Sequence, residues 1–118
     1  MKALLAFSGG GGSGFPGAPV AGVYVAATAP EFLTICAEVV AVPYSIVTDI
    51  SSGGLAWYSD GTDMVLLGGS VLYSSAFPTP GTVGGVTFAI VPEVAIYNQD
   101  NGHFNYFDGT NWIDIGGP

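Results

Sequence analysis

Two short runs of oxygen-bearing side chains are the first places in this sequence where chemistry could take place. Asp60-Gly61-Thr62-Asp63 and Asp108-Gly109-Thr110-Asn111 offer the carboxylate, hydroxyl and amide oxygens that bind Ca²⁺ in proteins. A calcium loop of the EF-hand type needs more carboxylates and a terminal glutamate, which neither run has. An Asp-Gly pair does suit a tight β-turn, because glycine adopts a positive φ without strain. We therefore interpret six residues as turn residues and expect no metal there: Asp60, Gly61, Thr62, Asp108, Gly109 and Thr110.

Other candidates for catalysis or cofactor binding lack the partners that such chemistry needs. The single histidine, His103, has Asp100 and Asp108 nearby and could act as a general base, but no serine or cysteine stands beside it. The single cysteine, Cys36, lies in an apolar run, which indicates a small buried side chain. The glycine-rich stretch Ser8–Gly14 lacks the Lys-Ser/Thr pair of a phosphate-binding loop. The sequence therefore predicts a protein that is not an enzyme and holds no cofactor.

Aromatic residues flank both turns and are the candidates for contact with a partner or ligand. They are Trp57, Tyr58, Tyr106 and Trp112, and Phe15 joins them from the glycine-rich N-terminal segment. Exposed Trp and Tyr rings stack on sugars or anchor protein interfaces, whereas buried rings fill a core. The sequence leaves both alternatives open for the two tryptophans.

The two turns belong to an internal repeat. Residues 54–69 recur as residues 102–117, 48 positions later, and the similarity extends upstream with a slip of one residue. Each copy has the pattern of a strand, a proline break, a second strand, a glycine turn and a hairpin. Two tandem hairpin units are therefore predicted, at about residues 39–69 and 87–117.

The length of each Asp-Gly turn sets the pairing of its hairpin. A two-residue turn places Trp57 opposite Met64 and Asn105 opposite Trp112, so that both tryptophans occupy the same rung. Tyr58 and its counterpart in the second unit then point to the other face, which partners could use. A turn of three to five residues would shift this register. We expect the two-residue turn because it matches the tryptophan positions.

From residue 23 onward the pattern predicts β-structure. Val23–Val25, Phe32–Val42 and Val86–Ile96 are rich in β-branched and aromatic residues, with Gly, Pro, Asp and Asn between them. The best helical candidate is Pro30–Ala37, but the Thr, Ile and Val residues around it favour a strand, and we expect little or no helix. The predicted fold is all-β, with residues 23–118 forming a small antiparallel β-sandwich or barrel.

Residues 1–22 are predicted to form an extended glycine-rich arm. Glycine and proline are too dense in this segment for a packed helix or strand, and ordering it costs backbone entropy that contacts with a neighbouring subunit would offset. The apolar stretch after Lys2 is shorter than the core of a signal peptide. No run in the sequence is apolar for long enough to predict a spanning helix.

The composition predicts a protein that works through contacts with other subunits. One basic and nine acidic residues give a net charge of −8, and charged residues make up only 8% of the chain. Lys2 is the sole cation, so neither a nucleic acid nor an anionic membrane is an expected partner. So little charged surface does not keep a free monomer dispersed, and we expect a homo-oligomer or a larger assembly.

The hairpins resemble those of a known class of viral proteins. Tyr106–Ile113, with the weaker copy Tyr58–Val65, is similar to the aromatic-x-Asp-Gly-Thr-x-Trp-Val hairpins of tailed-bacteriophage fibre, spike and decoration proteins. The glycine-rich arm before small β-units is similar as well, but the heptads and β-helical shaft of long fibres are missing. The resemblance implies a virion protein made in the host cytoplasm, often trimeric, that contacts other virion proteins as a head decoration protein, head fibre base or tail accessory protein.

The alternative function is a carbohydrate- or receptor-binding module on the virion surface. The aromatic residues of the hairpins would then grip a glycan of the host surface, which requires their rings to be exposed and coplanar. Buried rings would favour the structural function instead.

Overall fold

The computed structural model describes residues 20–117, which form nine β-strands and one α-helix. The strands are β1 (Val23–Ala26), β2 (Ile46–Asp49), β3 (Leu55–Ser59), β4 (Met64–Val71), β5 (Gly81–Val83), β6 (Val86–Ala89), β7 (Ala95–Asn98), β8 (His103–Phe107) and β9 (Trp112–Gly116). The helix, α1, comprises Ala29–Val39, and a single 3-10 turn lies at Ser74–Ala76. The predicted arm falls outside the described residues except for residues 20–22.

All of these strands belong to one mixed sheet, whose main path runs β1-β2-β3-β4-β7-β8-β9. β1 pairs in parallel with β2, and β4 pairs in parallel with both β6 and β7, while the other pairs are antiparallel. The predicted predominance of β-structure is confirmed, but the predicted antiparallel barrel is wrong, because the sheet is mixed and does not close. Parallel neighbours require a crossover connection, and α1 and the segment between β4 and β7 supply the two crossovers.

The helix α1 contradicts the expectation of little or no helix. Thr28 caps its N-terminus by accepting a hydrogen bond from the N–H of Glu31 at 3.2 Å, and the Glu31 side chain in turn accepts one from the N–H of Ala27 at 2.6 Å. Burial of one face outweighs the weak helix propensity of the β-branched residues. The buried residues recur at helical spacing: Phe32, Ile35, Cys36 and Val39.

One face of the sheet, here called the core face, carries the hydrophobic core and α1. The ring of Trp57 in β3 lies 6.4 Å from that of Phe32 in α1 and 5.2 Å from that of Phe88 in β6, measured between centroids. Side chains alternate between the faces along each strand, so one rung across four strands points entirely into this core. Each member of this rung lies opposite the next one on the adjacent strand, and all four are buried: Tyr24, Val47, Trp57 and Leu66.

Replacing Gly69 with alanine is expected to destabilise the fold strongly. The backbone at Gly69 in β4 has a φ of +118°, and a Cβ atom there would overlap the carbonyl oxygen of Gly54. The clash and the left-handed backbone should lower the free energy of unfolding by about 2 kcal/mol or more. Urea denaturation measures this change. Gly81→Ala is the control, because a Cβ there has no neighbour within 4 Å, and equal effects of the two substitutions would contradict this account of Gly69.

Candidate functional site

Both Asp-Gly-Thr turns are four-residue connections. Ser59 pairs with Met64 at the end of the first hairpin, and Phe107 pairs with Trp112 at the end of the second, which leaves four residues in each loop. The predicted two-residue turns are therefore wrong. The longer loop allows the side chain of the turn aspartate to accept hydrogen bonds from the backbone N–H groups two and three residues later.

The longer turns also change the pairing within each hairpin. Trp57 lies opposite Leu66 rather than Met64, and Asn105 lies opposite Asp114 rather than Trp112. The two hairpins nevertheless share one irregularity, a β-bulge at equivalent positions of the repeat. Because both hairpins have this bulge, the glycines that follow it occupy corresponding positions in the two hairpins.

The turn aspartates are occupied in closing their own loops. The Oδ1 atom of Asp60 accepts hydrogen bonds from the backbone N–H groups of Thr62 at 2.9 Å and Asp63 at 2.8 Å. Asp108 accepts the equivalent pair at 2.8 Å and 2.7 Å. These bonds hold the pKa of both carboxyl groups below their ordinary value. Within residues 20–117, no three His, Cys, Asp or Glu side chains lie together in a way that could hold a metal ion.

A proline turn packs against each Asp-Gly-Thr turn. The Cγ atom of Pro43 lies 3.2 Å from the position that a Cβ of Gly61 would take, and Pro92 lies 3.8 Å from the corresponding position at Gly109. The residue after each proline has a positive φ, 71° and 76°, as the third residue of a type II turn requires. Its N–H bonds the carbonyl of the last residue of β3 or β8, at 2.8 Å and 2.6 Å. The Asp-Gly-Thr turns thus act as supported corners of the scaffold.

His103 is paired with Asp114 across the second hairpin. Its Nδ1 atom lies 2.9 Å from Oδ2 and 3.1 Å from Oδ1 of Asp114, and this bond, with that from the N–H of Gly116, lowers the pKa of Asp114. A carboxylate on Nδ1 would orient the ring as a general base. Among residues 20–117, however, no nucleophilic side chain hydrogen-bonds to it, and neither do Asp100 and Asp108. The pair therefore bridges two strands at the surface.

The tryptophan rings lie on the core face. Trp57 is 4% exposed, which removes it from contact with a sugar. Trp112 is half-buried; its ring stacks on Phe77 with centroids 5.3 Å apart, and its Nε1 donates to the carbonyl of Pro78 at 2.8 Å. The remaining candidate before the sheet, Phe15, lies outside the described residues.

The side of the sheet opposite the core face, here called the open face, carries the other two candidates. Tyr58 and Tyr106 are half-buried there, on positions that alternate with the core residues of β3 and β8. Val23 and Val25 in β1 are 65% and 60% exposed, and Phe104 in β8 is 47% exposed. None of these side chains belongs to the hydrophobic core or packs against it.

Among residues 20–117, no charged side chain lies on the open face. Its strand positions are occupied by Val, Ile, Ala, Gly, Ser, Thr, Tyr and Phe residues from β1 to β9. Within it, the rings of Tyr97 and Phe104 pair across β7 and β8 with centroids 5.0 Å apart. Contiguous uncharged surface with aromatic rings is the composition found at the centre of protein interfaces. This face is the candidate functional site.

Comparison with known proteins does not extend this description. The chain matches no protein-family model, and searches of curated proteins and of solved structures give no significant match. Among residues 20–117, no helix has the length and apolar character needed to cross a membrane.

Sequence reasoning identified Tyr58 and Tyr106 on the open face but missed most of its other members. In the sequence, Val23 and Val25 have the pattern of ordinary strand residues, and nothing there distinguishes them from the valines of the core. Tyr97 and Phe104 are seven residues apart and meet only when β7 pairs with β8. The one available signal was the alternation of residues along the strands, which becomes informative once the side occupied by α1 is known.

The turn aspartates should make the fold sensitive to acid. Because the folded pKa values of Asp60 and Asp108 are lowered, their stabilising effect is present above the unfolded value of about 4 and is lost as the pH falls through the folded values. The Asp60→Asn/Asp108→Asn variant keeps an acceptor oxygen but cannot titrate. Urea denaturation across the acid range should show a flatter pH dependence for this variant than for the wild type. Parallel curves would contradict the assignment.

Proposed function

We propose that the chain is a structural component of a bacteriophage particle and acts through contacts between subunits. The observation that carries this proposal is the open face, an uncharged side of a seven-strand path on which the valines of β1 and the aromatic rings of β3, β7 and β8 remain exposed or half-buried. Solvent-exposed apolar surface of this kind is unfavourable in water until a partner covers it. The resemblance of the two hairpins to those of phage fibre, spike and decoration proteins supports the virion as the location.

A second copy of the chain suits this face on grounds of charge. All nine acidic residues lie in α1, in loops and turns, or on the core face. Two open faces can therefore meet without bringing carboxylates together, whereas a charged partner would find no group to pair with. Open faces of neighbouring subunits packed in this way would lie about 10 Å apart, the spacing of sheets that pack face to face.

The finer organisation follows from the same proposal. The two hairpin units, about residues 39–69 and 87–117, are copies of one module, which the shared proline turns, aspartate bonds and bulges support. Residues 1–22 act as an arm over neighbouring subunits, and the resemblance favours a trimer that contacts other virion proteins. Its place is a head decoration, head fibre or tail accessory position.

A carbohydrate-binding function is the second candidate, and one observation favours it. Tyr97, Phe104 and Tyr106 lie on the neighbouring strands β7 and β8, where rings could stack on the apolar side of a sugar, and Tyr58 lies on the same face beyond β4. A glycan-array screen of the purified protein tests this function. Binding that Phe104→Ala abolishes would support it, and no binding would favour the structural function.

Introducing a charge on the open face should weaken self-association. In Phe104→Asp and Val25→Asp, the contact would have to bury a carboxylate without a partner, so we expect at least a tenfold loss of association. Sedimentation equilibrium measures the mass of each variant over a range of concentrations. The control is Val83→Asp in β5, a valine of similar exposure (50%) that pairs with the core residue Val86 and therefore lies on the core-face side.

The far-ultraviolet circular dichroism of all three variants should match that of the wild type, because the substituted residues lie outside the core. A wild-type chain that stays monomeric at every concentration would contradict the proposal. So would an equal loss of association in the Val83→Asp control.

A further inference from the structure

The main path of the described sheet ends in two edges, β1 on one side and β9 on the other, while β5 is a third edge strand that pairs only with β6 off this path. The pairing directions along the path fix their relation: β1 is parallel to β2, β4 runs in the direction of β2, β7 is parallel to β4, and β9 runs in the direction of β7. The two edge strands therefore run in the same direction. Placing copies side by side brings β9 of one copy next to β1 of the following copy as a parallel pair.

Within the chain, β4 provides a precedent for a parallel partner strand on the outer edge of β9. β4 and β9 occupy equivalent positions of the repeat, 48 residues apart, after the same turn and with the same bulge. On its outer edge β4 pairs in parallel with β6 through Met64 and Val65 and with β7 through Gly69. The same edge of β9 has no partner among residues 20–117. β9 thus has the geometry of a strand whose counterpart pairs in parallel along its outer edge.

The chemistry of the two edges is compatible with this contact. β1 has no charge, proline or bulge, which are the devices that normally protect an edge strand from pairing with another chain. The one charged side chain of β9, Asp114, is engaged by His103 and leaves no unpaired carboxylate to oppose the approach. Ile115, at the bulge, is 59% exposed and adds apolar surface.

We infer that β9 of one copy pairs in parallel with β1 of a second copy, so that the sheet continues from subunit to subunit. This contact is head-to-tail, and it generates a closed ring or an open filament according to the rotation between subunits. It uses the edges of the sheet and is separate from the open face of the proposed function. Pairing of two β1 strands about a two-fold axis would be antiparallel, without the precedent that β4 sets within the chain.

Site-directed cross-linking distinguishes these arrangements. Ala21 precedes β1 and Asn111 precedes β9, and both are exposed, so parallel pairing brings them to the same end of the contact. Chains carrying Ala21→Cys or Asn111→Cys are mixed and treated with a bifunctional maleimide that spans about 10 Å. This length tolerates a register shift of about three residues between the paired strands. The native Cys36 is retained, because burial, with the nearby charge of Asp49, raises its pKa to about 12 and keeps the thiol unreactive.

We expect a covalent dimer containing one chain of each kind from the mixture, and at least a tenfold lower yield from either variant alone. The control mixture pairs Ala21→Cys with Ile115→Cys, whose thiol lies at the far end of β9 and should react poorly. Dimers of Ala21→Cys with itself, equal yields with Asn111→Cys and Ile115→Cys, or no mixed dimer from chains that do associate would each overturn the edge pairing.

The result also separates this inference from the proposed function. Mixed dimers that persist in the Phe104→Asp background would show that the edge contact forms independently of the open face. Loss of the mixed dimer in chains that still associate through the open face would overturn the edge pairing and leave the proposed function in place. A chain that is monomeric throughout would overturn both.

Discussion

The double pairing of β4 is the constraint on which the rest of the structure depends. β3 lies along one edge of β4, and β6 and β7 share the other edge, so the first and second parts of the chain are built into one sheet. The strand continues through a bulge at Leu67 and two glycines with positive φ, Gly68 and Gly69, the second of which lets the backbone approach Gly54 closely. Because β4 belongs to the first hairpin unit and pairs with strands of the second, the side chains of both units are sorted onto the same two faces.

That sorting leaves one face that no other part of residues 20–117 covers. α1 packs on the core face, and the segment between β4 and β7 sends Phe77 and Phe88 to the same side. The opposite face consists of uncharged strand positions, while the acidic residues occupy loops, the helix surface and the core side. A chain with a net charge of −8 that keeps one whole side free of charge has the distribution expected for a subunit whose contact is apolar and whose remaining surface is solvated.

The sequence predicts those parts of the fold that depend on local chemistry. The Asp-Gly-Thr corners and the predominance of strands follow from turn residues and β-branched runs, and the structure contains both. It does not predict features that depend on tertiary contacts. α1 forms because Phe32 and its neighbours contact Trp57 and Phe88. The parallel strand order depends on the two crossover connections. The four-residue turns depend on the hydrogen bonds that the side chains of Asp60 and Asp108 accept. The pairing of His103 with Asp114 likewise required the true register of the hairpin.

The central claim is that the open face is covered by another subunit, and hydroxyl-radical footprinting of the wild-type protein tests it most directly. The oxidation of Tyr97, Phe104 and Tyr106 would be compared between concentrated and highly diluted protein, with Tyr44, which is 80% exposed in the proline turn, as the internal reference. We predict that the three open-face rings become protected on concentration while Tyr44 is oxidised equally in both samples. Equal oxidation of all four rings at both concentrations would contradict the claim.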